Sequence, residues 1–258
     1  MQIDLTDQVA LVTGSAHRVG RRIALALARQ GVNIMVHYHS TDADTVRDTI
    51  RDIKSEGVDA FDVQANIAEP EGVDRVMDAV KAQYGRLDIL VNSASVFPSA
   101  DLMDITLESW NLTMNVNLRA PLLLTQQAAR LMKENDPPGG AIVNIIDQGA
   151  DAPWPKRPHH GISKYGLWML TQVSAVSLGP LVRVNAIVPG PVMKTNDGMN
   201  DERWAHMGDH LPLHRTGDGD DVARAVVYLV RESFITGAKL HVNGGEHLNY
   251  PRKAGGDS

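Results

Sequence analysis

The chain contains no cysteine. That absence excludes disulfide bridges, thiolate metal sites and a cysteine nucleophile, and it fits a reducing, cytoplasmic setting. No apolar run approaches the roughly 20 residues that cross a bilayer, and the first one, Val9–Val12, is too short for the core of a signal peptide. There is no basic excess: 25 Lys+Arg stand against 31 Asp+Glu, the net charge is −6, and no Lys/Arg stripe is visible. Nucleic acid and anionic membranes are therefore not expected as partners. Internal repeats and low-complexity tracts are also missing, which leaves neither a solenoid nor a disordered chain. What is present is ordinary globular composition, 43% hydrophobic and 22% charged over 258 residues. This length can bury a full core, and we read residues 1–258 as a single domain.

Strands and helices alternate along the chain. Apolar runs at Val9–Thr13, Asn33–Tyr38, Val58–Gln64, Leu87–Val91, Ala141–Ile146, Arg183–Val188 and Lys239–Val242 read as strands. Helical patterns separate them at Val19–Arg29, Thr41–Ser55, Glu69–Tyr84, Leu107–Lys133, Ser163–Leu178 and Asp220–Arg231. Strands that are apolar at every position are buried on both faces. The pattern predicts an α/β fold, a Rossmann-like, doubly wound parallel sheet of about seven strands with helices on both faces. Pro189 to Thr216 has no clear strand and reads as a lid near residues 190–216 over the strand ends. The tail Tyr250–Ser258 reads as frayed.

The turn Thr13-Gly14-Ser15-Ala16-His17-Arg18-Val19-Gly20 lies between the first strand and the first helix. Glycines there let a pyrophosphate approach the backbone, and the helix N-terminus offers free N–H groups. An ordinary strand–turn–helix is the alternative, but the position after the first strand favours a dinucleotide site. The second strand ends in His37-Tyr38-His39-Ser40, with no acid before Asp42. A site for NAD places a carboxylate there to accept from the ribose 2′-hydroxyl. Cations and hydroxyls instead suit a 2′-phosphate, so Arg18, His37, His39, Ser40 and Thr41 point to NADPH.

These residues resemble the short-chain dehydrogenase/reductase family, whose turn reads Thr-Gly-x-x-x-Gly-x-Gly. Arg18 replaces the middle glycine, which is similar to the pteridine reductase branch, as is the His-Tyr-His stretch. The resemblance runs from about Asp7 to Leu248. It implies that Gly14, Ser15, His17, Arg18, Val19 and Gly20 cradle the cofactor phosphates. By the same resemblance Asn66 and Ile67 border the adenine. Asn92, Ala94 and Ser95, from Asn92-Ser93-Ala94-Ser95, would lie along the cofactor, and Pro189, Gly190 and Val192 would hold its carboxamide. Thr195 sits one residue late for the usual contact.

The family's catalytic set is Asn, Ser, Tyr and Lys, and here the matching positions are Asn117, Asp147, His160 and Lys164. His160 lies four residues before Lys164, one helical turn, so the two should face one cleft. Tyr165 follows Lys164 directly and points elsewhere, so it does not stand in for the missing tyrosine. An Asp at position 147 and Phe97 are again similar to the pteridine reductase branch. That implies a substrate site of Arg18, Ser95, Phe97, Asp147 and His160, with the Phe97 ring stacking a flat substrate. His206, His210 and His214 recur every four residues, but Gly208 and Pro212 interrupt the helix, and no metal is expected. The loop Trp154-Pro155-Lys156-Arg157-Pro158 reads as a rim of the substrate mouth.

The resemblance implies an enzyme, an NADPH-dependent reductase passing hydride to a dihydropterin or dihydrofolate-like ring. Arg18 and ordered water would assist the proton. The alternatives are an NADPH-dependent carbonyl reductase of another substrate, since the lid turns from Trp204 to His214 match no motif, and a non-catalytic NADP(H)-binding protein, which rests on the missing tyrosine. A small-molecule substrate and a homo-oligomer, commonly a tetramer in this family, complete the expectation.

Overall fold

A computed structural model describes residues 2–194 and 199–248. Thr195 and the tail Tyr250–Ser258 lie outside the described residues. Seven parallel strands form one sheet: β1 (Val9–Val12), β2 (Asn33–Tyr38), β3 (Ala60–Gln64), β4 (Ile89–Asn92), β5 (Gly140–Ile145), β6 (Val182–Pro189) and β7 (Lys239–Val242). Their spatial order is β3-β2-β1-β4-β5-β6-β7. Alternate side chains of each strand leave on opposite faces. Ala10 and Val12 of β1 therefore join one core with Ile34, Val36 and Val91. Val9 and Leu11 join the other with Met35 and Leu90. Helices α1 (Arg18–Ala28) and α8 (Gly219–Arg231) cover the first face, with Ile23, Leu27, Val226 and Leu229 buried in it. Helices α3 (Pro70–Tyr84) and α5 (Ala120–Glu134) cover the second, through Val73, Val76, Leu124 and Met132. α2 (Ala43–Lys54) packs beside α1, and Asp42 caps it by accepting from Thr45 N–H at 2.9 Å.

The chain order reverses between β1 and β4, and a parallel sheet opens a crevice at the carboxyl ends of its strands at such a point. Two departures from the sequence pattern shape that crevice. The long helix read over Leu107–Lys133 is broken into α4 (Leu107–Met114) and α5 by a widened turn over Asn115–Arg119. Pro121 explains it: proline has no N–H to give the carbonyl four residues back, which belongs to Asn117, and its ring crowds that carbonyl. The next helix, α6 (Pro158–Leu178), begins five residues before Ser163, with Pro158 at its first position, so His159 and His160 sit in its first turn. The segment read as a lid contains a helix of its own, α7 (Asp201–Asp209), capped by the Asn200 side chain accepting from Arg203 N–H at 2.8 Å.

Candidate active site

The turn after β1 is tight because three backbones meet in it. Gly14 has φ +66°, and a Cβ there would stand 3.0 Å from the Ala94 Cα after β4. A Cβ on Gly20 would fall 2.3 Å from the Gly14 carbonyl oxygen. Ser15 turns inward, its hydroxyl donating to the Val12 carbonyl at 2.6 Å, and it is fully buried. Its side chain shapes the turn from beneath and is not part of the cleft wall, a correction to its reading as a phosphate contact. His17, Arg18 and Val19 open onto the cleft. The Arg18 guanidinium reaches across to donate to the Lys194 carbonyl at 2.8 Å.

His37 also differs from the sequence reading. It is 2% exposed, and its Nδ1 accepts the Gly14 N–H at 3.2 Å while Nε2 donates to the Ala65 carbonyl at 3.1 Å. One nitrogen accepts and the other donates, which is the neutral imidazole. Burial holds its pKa down at about 4. His37 is therefore an uncharged strut under the phosphate turn rather than a cation for a 2′-phosphate. The exposed cluster beyond it is His39 and Ser40, with Thr41 and His17 in contact at 3.2 Å; Tyr38 borders the same end.

Asn66 and Ile67 line the cleft, although the Asn66 side-chain oxygen accepts the Ala68 N–H at 3.1 Å, which leaves its amide nitrogen for any ligand. Ala94 and Ser95 line the middle. Asn92 does not: it is buried behind the wall and donates to the Asn144 side chain at 2.8 Å. Pro189 reaches the cleft, whereas Gly190 packs against Asn243 and Val192 is buried in the core. Asn92, Gly190 and Val192, expected along the cofactor, are thus not among the residues that line this cleft.

At the other end β5 delivers Asp147 and α6 delivers His160 and Lys164. The spacing of one helical turn does bring the last two together. Lys164 is buried, donates to the Ile145 carbonyl at 2.9 Å, and has its pKa lowered by burial, with Asp147 opposing the shift. Asp147 accepts the Gly149 N–H at 2.8 Å on one oxygen and meets His160 Nε2 with the other. His160 Nδ1 lies 3.0 Å from the Val96 carbonyl and 3.3 Å from the Asn117 amide nitrogen. Asn117 fixes that carbonyl: its amide donates to Val96 O at 3.0 Å and to Ser163 Oγ at 3.1 Å, and its oxygen accepts Val96 N–H at 2.9 Å. Asn117 is fully buried and acts from behind the cleft. Val96 was not legible as a site residue, because a carbonyl oxygen leaves no side-chain signature. Tyr165 is 57% exposed on α6, away from this group.

Phe97 stands edge to face with His160, centroids 4.5 Å apart, and with Trp154 at 5.7 Å. The rim loop is latched to it. Arg157 lies over the Phe97 ring at 3.7 Å and donates to its carbonyl, while Lys156 pairs with Asp101 at 2.7 Å. The cleft measures about 650 Å³, and Asp147 is the only carboxylate among the described residues lining it. His206 of α7 and His210, which follows its last residue, pack edge to face at 4.3 Å, and among the described residues no three candidate ligands converge on a metal site.

Known proteins share this architecture. A family model described as Enoyl-(Acyl carrier protein) reductase matches residues 14–247. The 3-oxoacyl-(acyl-carrier-protein) reductase FabG of Staphylococcus aureus is 33% identical over 244 residues, 93% of this chain and 98% of its own. Glucose 1-dehydrogenase 2 of Bacillus subtilis is 32% identical over 258 residues, 97% of this chain and 98% of its own. A blue fluorescent protein from a metagenomic library, solved in complex with NADPH, superposes with a TM-score of 0.87 at 31% identity, over 94% of this chain and 99% of that one. With the glycine turn, the switch-point cleft and Lys164 one helical turn from His160, these matches make the chain a member of the short-chain dehydrogenase/reductase family of NAD(P)-dependent oxidoreductases.

Proposed function

We propose that the protein is an NADPH-dependent reductase of a pterin-type ring, a dihydropterin or dihydrofolate-like substrate. The observation that carries this reading is the pairing of a flat aromatic wall with an acid dyad: Phe97 stands against His160, and His160 is bonded to Asp147. A heteroaromatic substrate offers both a face for Phe97 and a ring nitrogen for the dyad. Arg18, at the mouth of the turn, faces the same cleft and suits ring heteroatoms.

The cleft fits NADPH. Gly14 and Gly20 leave no room for a side chain where a phosphate cradle needs bare backbone, and the N-terminus of α1 opens above them. No carboxylate lines the cleft at the ribose end among the described residues, so nothing there repels a 2′-phosphate; His39, Ser40 and Thr41 would hold it. When bound, NADPH supplies the hydride. Lys164 would anchor the ribose from the cleft floor, and Pro189 would border the nicotinamide. Exposed Ile162, Tyr165, Met169, Val173 and Val176 form one apolar stripe on α6, which supports a homo-oligomer, and a cytoplasmic enzyme remains our reading.

The test is a binding and turnover panel of dihydropterins, dihydrofolate and fully oxidised pterins, with 3-oxoacyl thioesters, sugars and acetoin as competitors. Saturable pterin binding with NADPH oxidation supports the reading. Turnover of a carbonyl substrate with no pterin binding overturns it.

A further inference from the structure

We infer that Asp151 is a positioning residue for the active-site carboxylate: with Lys239 and His241 of β7 it straps down the short turn that aims Asp147. The inference rests on the reductase reading above, in which Asp147 faces the substrate.

Asp147 has few contacts of its own. One oxygen accepts the Gly149 N–H at 2.8 Å and the other meets His160. Its aim is therefore set by where the turn Gln148–Ala150 puts Gly149. Two surfaces confine that turn. A Cβ on Gly161, the residue after His160 in α6, would stand 3.0 Å from the Gly149 carbonyl oxygen. On the other side, a Cβ on Gly149 would meet the Trp154 ring at 3.3 Å.

The remaining support comes from β7. Asp151, directly after the turn, uses both carboxylate oxygens: one accepts from Lys239 Nζ at 2.5 Å, the other from His241 Nε2 at 3.0 Å. Gln148, directly after Asp147, is buried, and its side-chain oxygen accepts from the Asn243 amide at 3.1 Å. Asn243 follows β7 and is held in turn, its oxygen accepting the Gly245 N–H at 3.2 Å. Lys239 and His241 are two residues apart, so both leave the same face of the strand. β7 needs neither side chain to stay in the sheet, because its backbone pairs with β6 from Lys239 opposite Ala186 to Val242 opposite Pro189. The two donors thus serve the loop. Their own places are fixed: Lys239 lies over the Trp168 ring of α6 at 4.7 Å, and the His241 ring stacks on His247 at 4.0 Å. Burial raises the Asp151 pKa, and the Lys239 and His241 contacts more than offset it, so the carboxyl is held below its ordinary range and stays charged. Without the strap the turn can pivot between Gly161 and Trp154, and a misplacement of ~1 Å at a reacting group costs about 10²-fold in rate.

The test has an arm that needs no substrate. In full chain labelled with nitrogen-15 histidine, Asp151→Ala should displace the His160 Nε2 signal, because that nitrogen reads the placement of Asp147. Lys239→Met combined with His241→Leu removes the same contacts from the other side and should displace it alike. His241→Gln, whose amide can still donate to Asp151, should displace it less. Arg86→Met breaks the pair of Arg86 with Asp88, 2.8 Å apart at the opposite end of the sheet, and should lower stability while leaving the His160 signal unmoved. If Asp151→Ala does not fold, Asp151→Asn, which keeps one acceptor oxygen, is read in the same way. A His160 signal blind to the Asp151 and β7 substitutions, or moved as far by Arg86→Met, overturns the inference and leaves Asp151 a fold-stabilising pair. On whichever substrate of the panel turns over, Asp151→Ala should lower kcat by up to ~10²-fold with the Kd of NADPH unchanged. Lost NADPH affinity with kcat preserved would also overturn it. A failed pterin panel is a separate result, because the histidine signals are read without any substrate and a carbonyl can replace the pterin in the kinetic arm.

Discussion

Two histidines stand at opposite ends of one cleft, and each is 2% exposed. At the cofactor end, His37 meets one donor and one acceptor, the Gly14 N–H and the Ala65 carbonyl. At the chemical end, His160 meets the Asp147 carboxylate through Nε2, while its Nδ1 stands 3.0 Å from the Val96 carbonyl and 3.3 Å from the Asn117 amide nitrogen. Burial is the same, so burial does not decide what a histidine does here. The partners decide: the first ring is neutral and shapes backbone, and the second is tied to the one carboxylate that borders the cleft among the described residues. The division also separates two tasks. The phosphate turn needs a rigid, uncharged support, while the far end needs a proton that can leave.

The largest expected effect breaks the chemical end alone. Asp147→Asn should reduce turnover by ~10²–10⁴-fold while NADPH binding, followed by nicotinamide fluorescence, stays as it was. A matching loss of NADPH affinity would mean the two ends are not separate.

The acid limb of stability comes next. The folded-state pKa of His37, about 4, lies below its ordinary 6.5, so the unfolded chain binds the proton more readily. Its contribution is complete above pH 6.5 and is lost as pH falls towards 4, by about 3 kcal/mol in all. Urea unfolding across that window measures it. His37→Gln should flatten this limb, and an unchanged slope in the variant would reassign it to other groups.

His37→Leu sharpens the contrast from the other side. It strands the Gly14 N–H and the Ala65 carbonyl, at about 1–3 kcal/mol for each buried group left without a partner. Because the turn serves any dinucleotide, NADPH and NADH should weaken by the same factor in parallel titrations. A loss confined to NADPH would restore His37 as a phosphate reader.

The smallest effect belongs to the exposed cluster. Ser40→Ala should weaken NADPH about tenfold and leave NADH unchanged, as expected for one charge-assisted hydrogen bond to the 2′-phosphate. Equal losses would place that phosphate elsewhere.

The sheet was readable because its strands are apolar on successive positions and lie between amphipathic helices. The grouping of Arg18, Phe97, Asp147, His160 and Lys164 around one cleft was readable too, since strand ends and one helical turn determine where such side chains emerge. The role of His37 was not. Its partners are a backbone N–H and a backbone carbonyl 23 and 28 residues away, and residue type says nothing of either. Ser15 and Asn92 were misplaced for a related reason: a polar side chain in a turn motif can bond inward as readily as to a ligand. The break at Asn115–Arg119 did have a signal, Pro121, but apolar periodicity continues through it and outweighs a single residue.

The contrast between the histidines is open to one direct measurement, nitrogen-15 NMR of histidine-labelled full chain near neutral pH, with His37 and His160 assigned by substitution. The account predicts a single proton on His37, at Nε2, unmoved by Asp147→Asn, and a His160 Nε2 signal that Asp147→Asn displaces. A His37 proton on Nδ1, or a His160 signal blind to that substitution, would contradict it.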